Sequence, residues 1–316
     1  MRLISLVPVN TKIDFMRFRK VAAILSLVLC VASAGLFGVK GLNFGIDFRG
    51  GILIEIRTEG PADMSQLRSN LSGLGLGEVQ LQEFGQPTDV LIRIERQPGG
   101  EKAQLEAVEK AKNALGDKVD YRRTEFVGPK VGGELIEAGI TAVLLALGAM
   151  LVYIWFRFEW QFGVGAVIAL LHDVILTIGV FALLGLEFNL STVAAILTIA
   201  GYSINDTVVV YDRVRENLRK FKQMPLYELL NLSINSTLSR TLLTSVTTLL
   251  ALLALYLFGG EVLRGFSFAM IWGVIVGTYS SIFIAVPSLV YMNLRRSGLI
   301  VGENDGDDAA EAGKSA

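Results

Sequence analysis

Residues Phe162–Leu184 read FGVGAVIALLHDVILTIGVFALL, an almost unbroken apolar run with His172 and Asp173 near its middle. A helix needs about 20 apolar residues to cross the hydrocarbon core of a bilayer. The stretch therefore predicts a transmembrane helix. Because ionisable groups are costly at bilayer depth, the two polar residues are candidates for function.

Further apolar runs of similar length lie on both sides of this one, at Val21–Val39, Leu135–Phe156, Leu190–Tyr211, Leu238–Phe258 and Phe266–Met292. Hydrophobic residues make up 52% of the 316 residues and charged residues only 19%. That polar share is too small to cover a soluble globule of this size. The sequence predicts an α-helical polytopic membrane protein with six transmembrane helices.

The runs divide the chain into a cytoplasmic N-terminus at 1–20, a first transmembrane helix at 21–39, a periplasmic domain at 40–132, a five-helix transmembrane bundle at 133–298 and an acidic disordered cytoplasmic tail at 299–316. The orientation follows from the basic residues before the first span and between the fourth and fifth. Ala32-Ser33-Ala34 leaves a cleaved signal peptide as an alternative. Since the apolar run continues through Val39, a retained helix is favoured.

The extramembrane stretch has the order β-α-β-β-α-β of the ferredoxin-like split motif, so an α+β domain is expected. Its predicted elements are Gly51–Thr58, Asp63–Leu74, Val79–Phe84, Val90–Arg96, Glu101–Leu115 and Val119–Val127. In the second helix, the spacing of Leu105, Val108, Ala111 and Leu115 predicts one apolar face. The domain carries no nucleophile–base pair and no phosphate loop. It is predicted to be a binding or lever module rather than an enzyme.

The charge balance and the rare residues exclude several functions. The net charge of −1 gives no basic footprint for nucleic acid. One cysteine, Cys30, cannot form a disulfide within the chain, and with one histidine it makes a zinc site of the usual kind implausible. No metal or cofactor is expected.

Polar residues inside the other spans are the remaining candidates for function. Asn205 and Asp206 lie in the inner third of the fourth span, and Arg240 lies a few residues into the fifth. Because these two spans run in opposite directions, Asp206 and Arg240 fall at similar depth and could pair. Making and breaking such a pair changes the proton affinity of the carboxylate, as proton coupling requires.

The alternative for this pair is a static ion pair that fixes helix register. For His172 and Asp173 the two interpretations are balanced, because adjacent helix positions point about 100° apart. Gly273 and Gly277 form a GxxxG pair, which is typical of a helix-packing face.

Three segments carry a resemblance to a known family: GIDFRGG at Gly45–Gly51, ALLHDV at Ala169–Val174, and GYSINDTVVVYDR at Gly201–Arg213. They resemble the SecD/SecF family, and a single outer domain of this size is similar to its SecF branch. The match covers about Asp14 to Arg296. Gly45, Asp47, Gly50 and Gly51 belong to the family's motif, which joins the first span to the outer domain and is expected to act as a hinge.

The resemblance implies an accessory subunit of the bacterial Sec preprotein translocase in the inner membrane, with no enzymatic activity. Such a chain is expected to form half of an RND-type bundle with SecD, and to work with the SecYEG translocon on an unfolded preprotein. YajC and YidC are further candidate partners. The proton gradient would take the place of a cofactor, with Asp206 and Arg240 implicated in proton passage.

Two rival functions remain open. One is a proton-coupled small-solute exporter subunit of the RND superfamily, which would normally carry both six-span halves in one chain. The other is a purely structural subunit that stabilises a neighbour. It predicts that neutralising Asp206 leaves function intact.

Overall fold

The structure, a computed structural model, describes residues 11–116, 118–292 and 294. The chain forms two compact units. The sheet unit comprises Asn43–Leu144 and Glu187–Val193, and the helical unit comprises the segments before 43, from 145 to 186 and from 194 onward. The predicted acidic tail and the first ten residues lie outside the described residues.

The helices are α1 (Arg19–Lys40), α2 (Ile46–Arg49), α3 (Met64–Ser72), α4 (Gly100–Leu115), α5 (Pro129–Arg157), α6 (Trp160–Leu184), α7 (Leu190–Lys220), α8 (Leu226–Phe258), α9 (Glu261–Ser280) and α10 (Val286–Tyr291). A 3₁₀ turn at Phe15–Phe18 precedes α1, and a π-helical turn at Ser281–Ala285 joins α9 to α10. The strands are β1 (Asn43–Phe44), β2 (Gly51–Thr58), β3 (Val79–Phe84), β4 (Gln86–Ile94), β5 (Val119–Val127) and β6 (Glu187–Phe188).

Six helical segments of the described chain are long and apolar enough to cross a membrane, so the prediction of a polytopic membrane protein is confirmed. Each predicted apolar run lies in one of them, except that the sixth run ends one residue beyond its segment, at Met292. Two helices extend well beyond the runs, because α7 continues to Lys220 and α8 begins at Leu226. The apolar run marks only the membrane-embedded part. Helix formers such as Arg, Glu and Leu continue the helix into polar surroundings.

The sheet of the outer domain confirms the predicted β-α-β-β-α-β order. Its strand order is β3-β4-β2-β5, and every neighbouring pair is antiparallel. Strand β2 is central, with Ile54 opposite Ile92 of β4 and Thr124 of β5. Ile52 and Ile54 are fully buried in the core that α3 and α4 cover.

One face of α4 differs from the prediction. Leu105 is 48% exposed, whereas Gln104 is fully buried. The Gln104 amide accepts a hydrogen bond from the Gln97 backbone N–H and donates one to the Gln97 carbonyl. Because these bonds satisfy the buried amide, a polar residue occupies a core position that hydropathy assigned to leucine.

A short parallel pair, β1 with β6, has no counterpart in the sequence predictions. Asn43 pairs with Glu187 and Phe44 with Phe188. Two-residue strands give no periodic signal, so their pairing depends on the surrounding chain. The pair brings the GIDFRGG segment next to the loop that precedes α7.

Candidate functional site

The Asp173 carboxylate lies at the centre of a buried polar cluster in the helical unit. One oxygen, Oδ1, lies 2.9 Å from His172 Nδ1. The other, Oδ2, accepts hydrogen bonds from Ser203 Oγ at 2.5 Å and Ser280 Oγ at 2.8 Å. Asp173 and Ser280 are fully buried, and Ser203 and His172 are nearly so. Both carboxylate oxygens therefore have protein partners, supplied by α6, α7 and α9.

Adjacent positions on a helix can thus share one site. The imidazole of His172 reaches back to Asp173, and its ring also lies against Tyr279, with ring centroids 6.0 Å apart. His172 Nε2 is buried without a partner. The sequence left open whether the two residues act together, and the structure places them in direct contact.

Glycines allow the helices around this cluster to approach closely. A Cβ at Gly277 would lie 3.1 Å from the Cβ of Ser203, and one at Gly273 would collide with Ile199. The GxxxG pair is therefore the face through which α9 packs on α7, as predicted. The π-helical turn begins directly after Ser280. Turns of this kind are frequent at functional sites because they redirect side chains within a helix.

A second set of hydroxyls continues along α7 and the π-helical turn. Thr207 Oγ1 and Ser281 Oγ are 2.9 Å apart, and Ser281 Oγ donates to the Gly277 carbonyl. The Thr177 hydroxyl donates to the Asp173 backbone carbonyl at 2.7 Å. The sequence analysis did not select Ser280, Ser281 or Thr207. Their signal was available, since consecutive serines are unusual within an apolar span.

Asp206 lies one turn beyond Ser203 on α7 and has a different environment. The residue is 2% exposed, and its Oδ2 atom has no hydrogen-bond partner. Thr241 Oγ1, on the neighbouring position to Arg240, is also buried without a partner. The Arg240 guanidinium is close enough for an electrostatic interaction with Asp206. None of the ion pairs among the described residues joins the two, so their direct pairing stays a prediction.

The remaining predicted residues of the membrane site lie at the surface of this chain. Asn205 and Arg240 are both exposed, although their neighbours Asp206 and Thr241 are buried. The predicted residues therefore form three environments: the Asp173 cluster, buried Asp206, and two polar side chains that point out of the helical unit.

The GIDFRGG segment is held by contacts within the sheet unit. Asp47 Oδ2 accepts a hydrogen bond from the Leu190 backbone N–H at 2.9 Å, at the first residue of α7. Gly50 and Gly51 have positive φ angles of 71° and 113°, and a Cβ at Gly51 would lie 2.6 Å from the Ile94 carbonyl oxygen. A Cβ at Gly45 would lie 2.5 Å from Glu187 Oε1. The segment therefore needs its glycines, and its aspartate caps a membrane helix.

An ion pair links the outer sheet to the β1–β6 pair. Arg93 on β4 pairs with Glu187 at 2.9 Å, and its other Nη atom donates to Asn43 Oδ1 at 2.5 Å. Both pairs are largely shielded from solvent, with Arg93 and Glu187 side chains 12% and 20% exposed. These contacts connect β4 of the sheet to the loop that precedes α7.

Family profiles match two parts of the chain. Residues 107–295 match the profile described as protein export membrane protein SecD/SecF, C-terminal, and residues 35–62 match the SecD/SecF GG motif. The second match contains the GIDFRGG segment, and the first contains Asp173 and Asp206.

Similar proteins and structures agree with these matches. The protein translocase subunit SecF of Rickettsia rickettsii is 51% identical over 90% of this chain and 94% of that protein. SecF of Rickettsia felis is 50% identical over 93% and 96%. The crystal structure of SecDF from Thermus thermophilus, named there as a translocon-associated membrane protein, aligns with a TM-score of 0.83 and 40% identity. That alignment covers 92% of this chain and 40% of the SecDF chain.

The alignment with this chain covers almost the whole length of the SecF relatives but only about two fifths of the SecDF chain. The arrangement of six apolar helices and one α+β domain, the two profile matches and the similarity to these subunits agree on one assignment. This chain belongs to the SecD/SecF family of protein export membrane proteins, as a relative of its protein translocase subunit SecF.

Proposed function

We propose that this chain acts with a SecD partner to use the proton-motive force for the completion of preprotein translocation across the bacterial inner membrane. Both termini are on the cytoplasmic side, and the α+β domain is in the periplasm. The partners are SecD, the SecYEG translocon and the unfolded preprotein, with YajC and YidC as further candidates. The activity is transport and not an enzymatic reaction, and it needs no cofactor beyond the proton gradient.

The observation that carries this proposal is the buried Asp206 side chain with an oxygen atom that has no hydrogen-bond partner. An ionised carboxylate that is removed from water needs donors or a counter-charge to offset its lost hydration. The charge state of Asp206 therefore depends on whether water or Arg240 reaches it. That dependence is what a proton-coupled conformational cycle requires.

The contacts at the far end of α7 support coupling between protonation and the outer domain. Helix α7 runs without interruption from Leu190, whose N–H donates to Asp47, to the turn that carries Asp206. Sixteen residues of α-helix span about 24 Å. A continuous helix of this length can carry a shift at Asp206 to the GIDFRGG hinge.

The exposed polar side chains support a partner in the membrane. Asn205 and Arg240 are exposed on helices that are apolar enough to cross a bilayer. Polar side chains within membrane-spanning helices rarely face lipid. A second bundle with complementary polar residues, as SecD would supply, gives them a partner.

The test is gradient-dependent export in vesicles, normalised to the amount of assembled complex. We expect Asp206→Asn to insert and assemble normally but to lose nearly all of the gradient-dependent export, because it removes the titratable group. Arg240→Met is expected to fail in the same way. The matched control is Asp212→Asn, a carboxylate on the same helix that is 44% exposed and pairs with Arg157 at 2.7 Å. It is expected to keep export.

Full gradient-dependent export by Asp206→Asn would contradict the proton role. Restored export in an Asp206→Asn, Arg240→Met double variant would instead indicate a static pair. Export of a small solute by vesicles that contain this chain, with no effect on preprotein transport, would favour the exporter alternative.

A further inference from the structure

An apolar groove in the sheet unit has no part in the proton coupling proposed for Asp206. It has a volume of about 490 Å³, and its lining includes the aromatic rings of Phe44, Phe48 and Phe188, the α5 residues Ile140 and Leu144, and Arg49. The two α5 residues are 57% and 66% exposed. We call this feature the α5 groove.

The shape of the α5 groove depends on how the rings pack. Phe44 contacts Phe48 and Phe188 edge-on, with ring centroids 5.8 and 5.9 Å apart, and the Phe48 and Phe188 centroids are 6.0 Å apart. The β1–β6 pair fixes Phe44 opposite Phe188. This wall is therefore built by backbone pairing and ring packing together, so the groove is already formed in the chain alone.

The charge of the groove is concentrated at one point. Arg49 is the only charged residue among the described residues that line it, and its side chain is exposed. None of the ion pairs among the described residues includes Arg49. An apolar lining that includes one guanidinium matches a ligand with an apolar chain and an anionic head.

The position of the groove favours bilayer lipid as the source of that ligand. Its α5 residues lie within the membrane-spanning segment Gly133–Arg157, and none of the apolar window of that segment is buried within the chain. Bilayer lipid is the apolar material that contacts such a face at high concentration. Arginine binds phosphate oxygens through a bidentate fork, and basic residues near the membrane surface attract anionic lipids.

We propose that the α5 groove binds one anionic phospholipid, with an acyl chain between the aromatic wall and α5 and the headgroup phosphate on Arg49. Since Phe48 and Arg49 belong to the GIDFRGG segment, the bound lipid packs directly against the segment that joins the first span to the outer domain. The binding does not require the proton role proposed for Asp206.

The experiment uses the full chain in phosphatidylcholine nanodiscs that contain a phosphatidylglycerol with a photoactivatable acyl chain. Labelled residues are mapped by mass spectrometry. We expect labelling of α5 and of the Phe44–Phe48 segment above the level on the exposed apolar face of α8, for which Leu250 and Leu257 serve as reference. Arg49→Gln is expected to lower the groove labelling about fivefold.

Two matched controls separate the groove from general effects of charge and bulk. Arg96→Gln removes an equally exposed positive charge that does not line the groove, and it should leave the labelling unchanged. Ile140→Trp fills the groove and should reduce its labelling to the α8 level. Leu145→Trp places the same ring on an exposed α5 position outside the groove, and it should have no effect.

Labelling of the groove at the α8 level in the unmodified chain would overturn the proposal. So would equal effects of Arg49→Gln and Arg96→Gln, because they would show a general attraction of charge. If a copurified partner chain crosslinks to Ile140 and excludes the lipid from the assembled complex, the groove is a helix-docking surface and the lipid proposal is wrong.

Discussion

Asp173 and Asp206 are both buried aspartates in the same helical unit, yet their carboxylate oxygens differ in hydrogen bonding. Asp173 has partners on both oxygens, from His172, Ser203 and Ser280. Asp206 has an oxygen with none. A fully hydrogen-bonded carboxylate holds helices together, whereas an incompletely satisfied one responds to whatever reaches it. We therefore expect Asp173 to organise the bundle and Asp206 to be the residue that changes its charge.

The Asp173 cluster and Asp206 are connected through α7. Ser203 of this helix donates a hydrogen bond to Asp173, and Asp206 lies three residues after Ser203 on the same helix. A rotation of α7 that breaks the Ser203 bond would also move Asp206. A change at Asp206 is therefore expected to affect the hydrogen bonds of the Asp173 cluster through α7.

The largest expected effect on stability is that of Asp173→Ala. This change leaves His172, Ser203 and Ser280 without their shared acceptor. With about 1 kcal/mol lost for each buried group, the free energy of unfolding should fall by about 3 kcal/mol. Asp206→Asn should change it by less than about 1 kcal/mol, because no hydrogen bond to Oδ2 is lost. Unfolding in mixed detergent micelles measures both variants. Equal losses would refute the distinction between the two aspartates.

A smaller effect is expected at the hinge end of α7. Asp47→Ala removes the acceptor of the Leu190 N–H and should cost about 1 kcal/mol, as the loss of a helix cap does. It should also reduce gradient-dependent export per assembled complex. The control is Asp63→Ala, which removes the cap of α3, where Asp63 accepts from the Ser65 and Gln66 N–H groups at 3.0 Å. If export falls equally in both variants, the loss of any helix cap lowers export, and the position of Asp47 at α7 has no special role.

Ser280→Ala tests one bond of the Asp173 cluster. It removes the 2.8 Å hydrogen bond to Asp173 Oδ2 but leaves the bond from Ser203. Interhelical hydrogen bonds in membranes contribute about 0.6 kcal/mol on average, so the unfolding free energy should fall by about that amount. Thr247→Ala is the control, since its hydroxyl bonds only to carbonyls of its own helix. If Ser280→Ala lowers the unfolding free energy no more than Thr247→Ala does, the hydrogen bond from Ser280 to Asp173 does not stabilise the bundle.

The smallest effect concerns a carboxylate outside the membrane. The pKa of Asp89 is lowered from its ordinary value, first by hydrogen bonds from Arg57 and then by the charge of that guanidinium. Because the folded-state pKa is the lower one, the pair stabilises the fold above about pH 4 and loses its contribution as pH falls through the folded-state value. Since Arg57 is 38% exposed, solvent screening limits the effect to a fraction of a kcal/mol.

Hydrogen exchange of β2 and β4 in the full chain, corrected for the intrinsic rate, measures this dependence. Protection should decrease on acidification, and Asp89→Asn should remove that part of the decrease. Unchanged acid sensitivity in the variant would mean that other carboxylates control the outer domain.

The amino-acid sequence was sufficient to predict the six membrane helices and the β-α-β-β-α-β domain. Both depend on local periodicity and on the length of apolar runs, which a single segment carries in itself. It also identified Asp173 and Asp206, because charged residues are rare at bilayer depth. It misassigned Leu105 to the core, because hydropathy does not reveal that the Gln97 backbone satisfies Gln104.

Which of these residues contact one another depends on the tertiary structure. Sequence spacing could not tell that Ser280 of α9 and Ser203 of α7 converge on Asp173, since that depends on how three helices cross. It could not show that Asp47 caps α7 across 143 positions of the chain, or that Phe44 stands opposite Phe188. The local hydrophobic pattern determines which face of a helix is apolar, but the packing of the whole chain determines which element that face contacts.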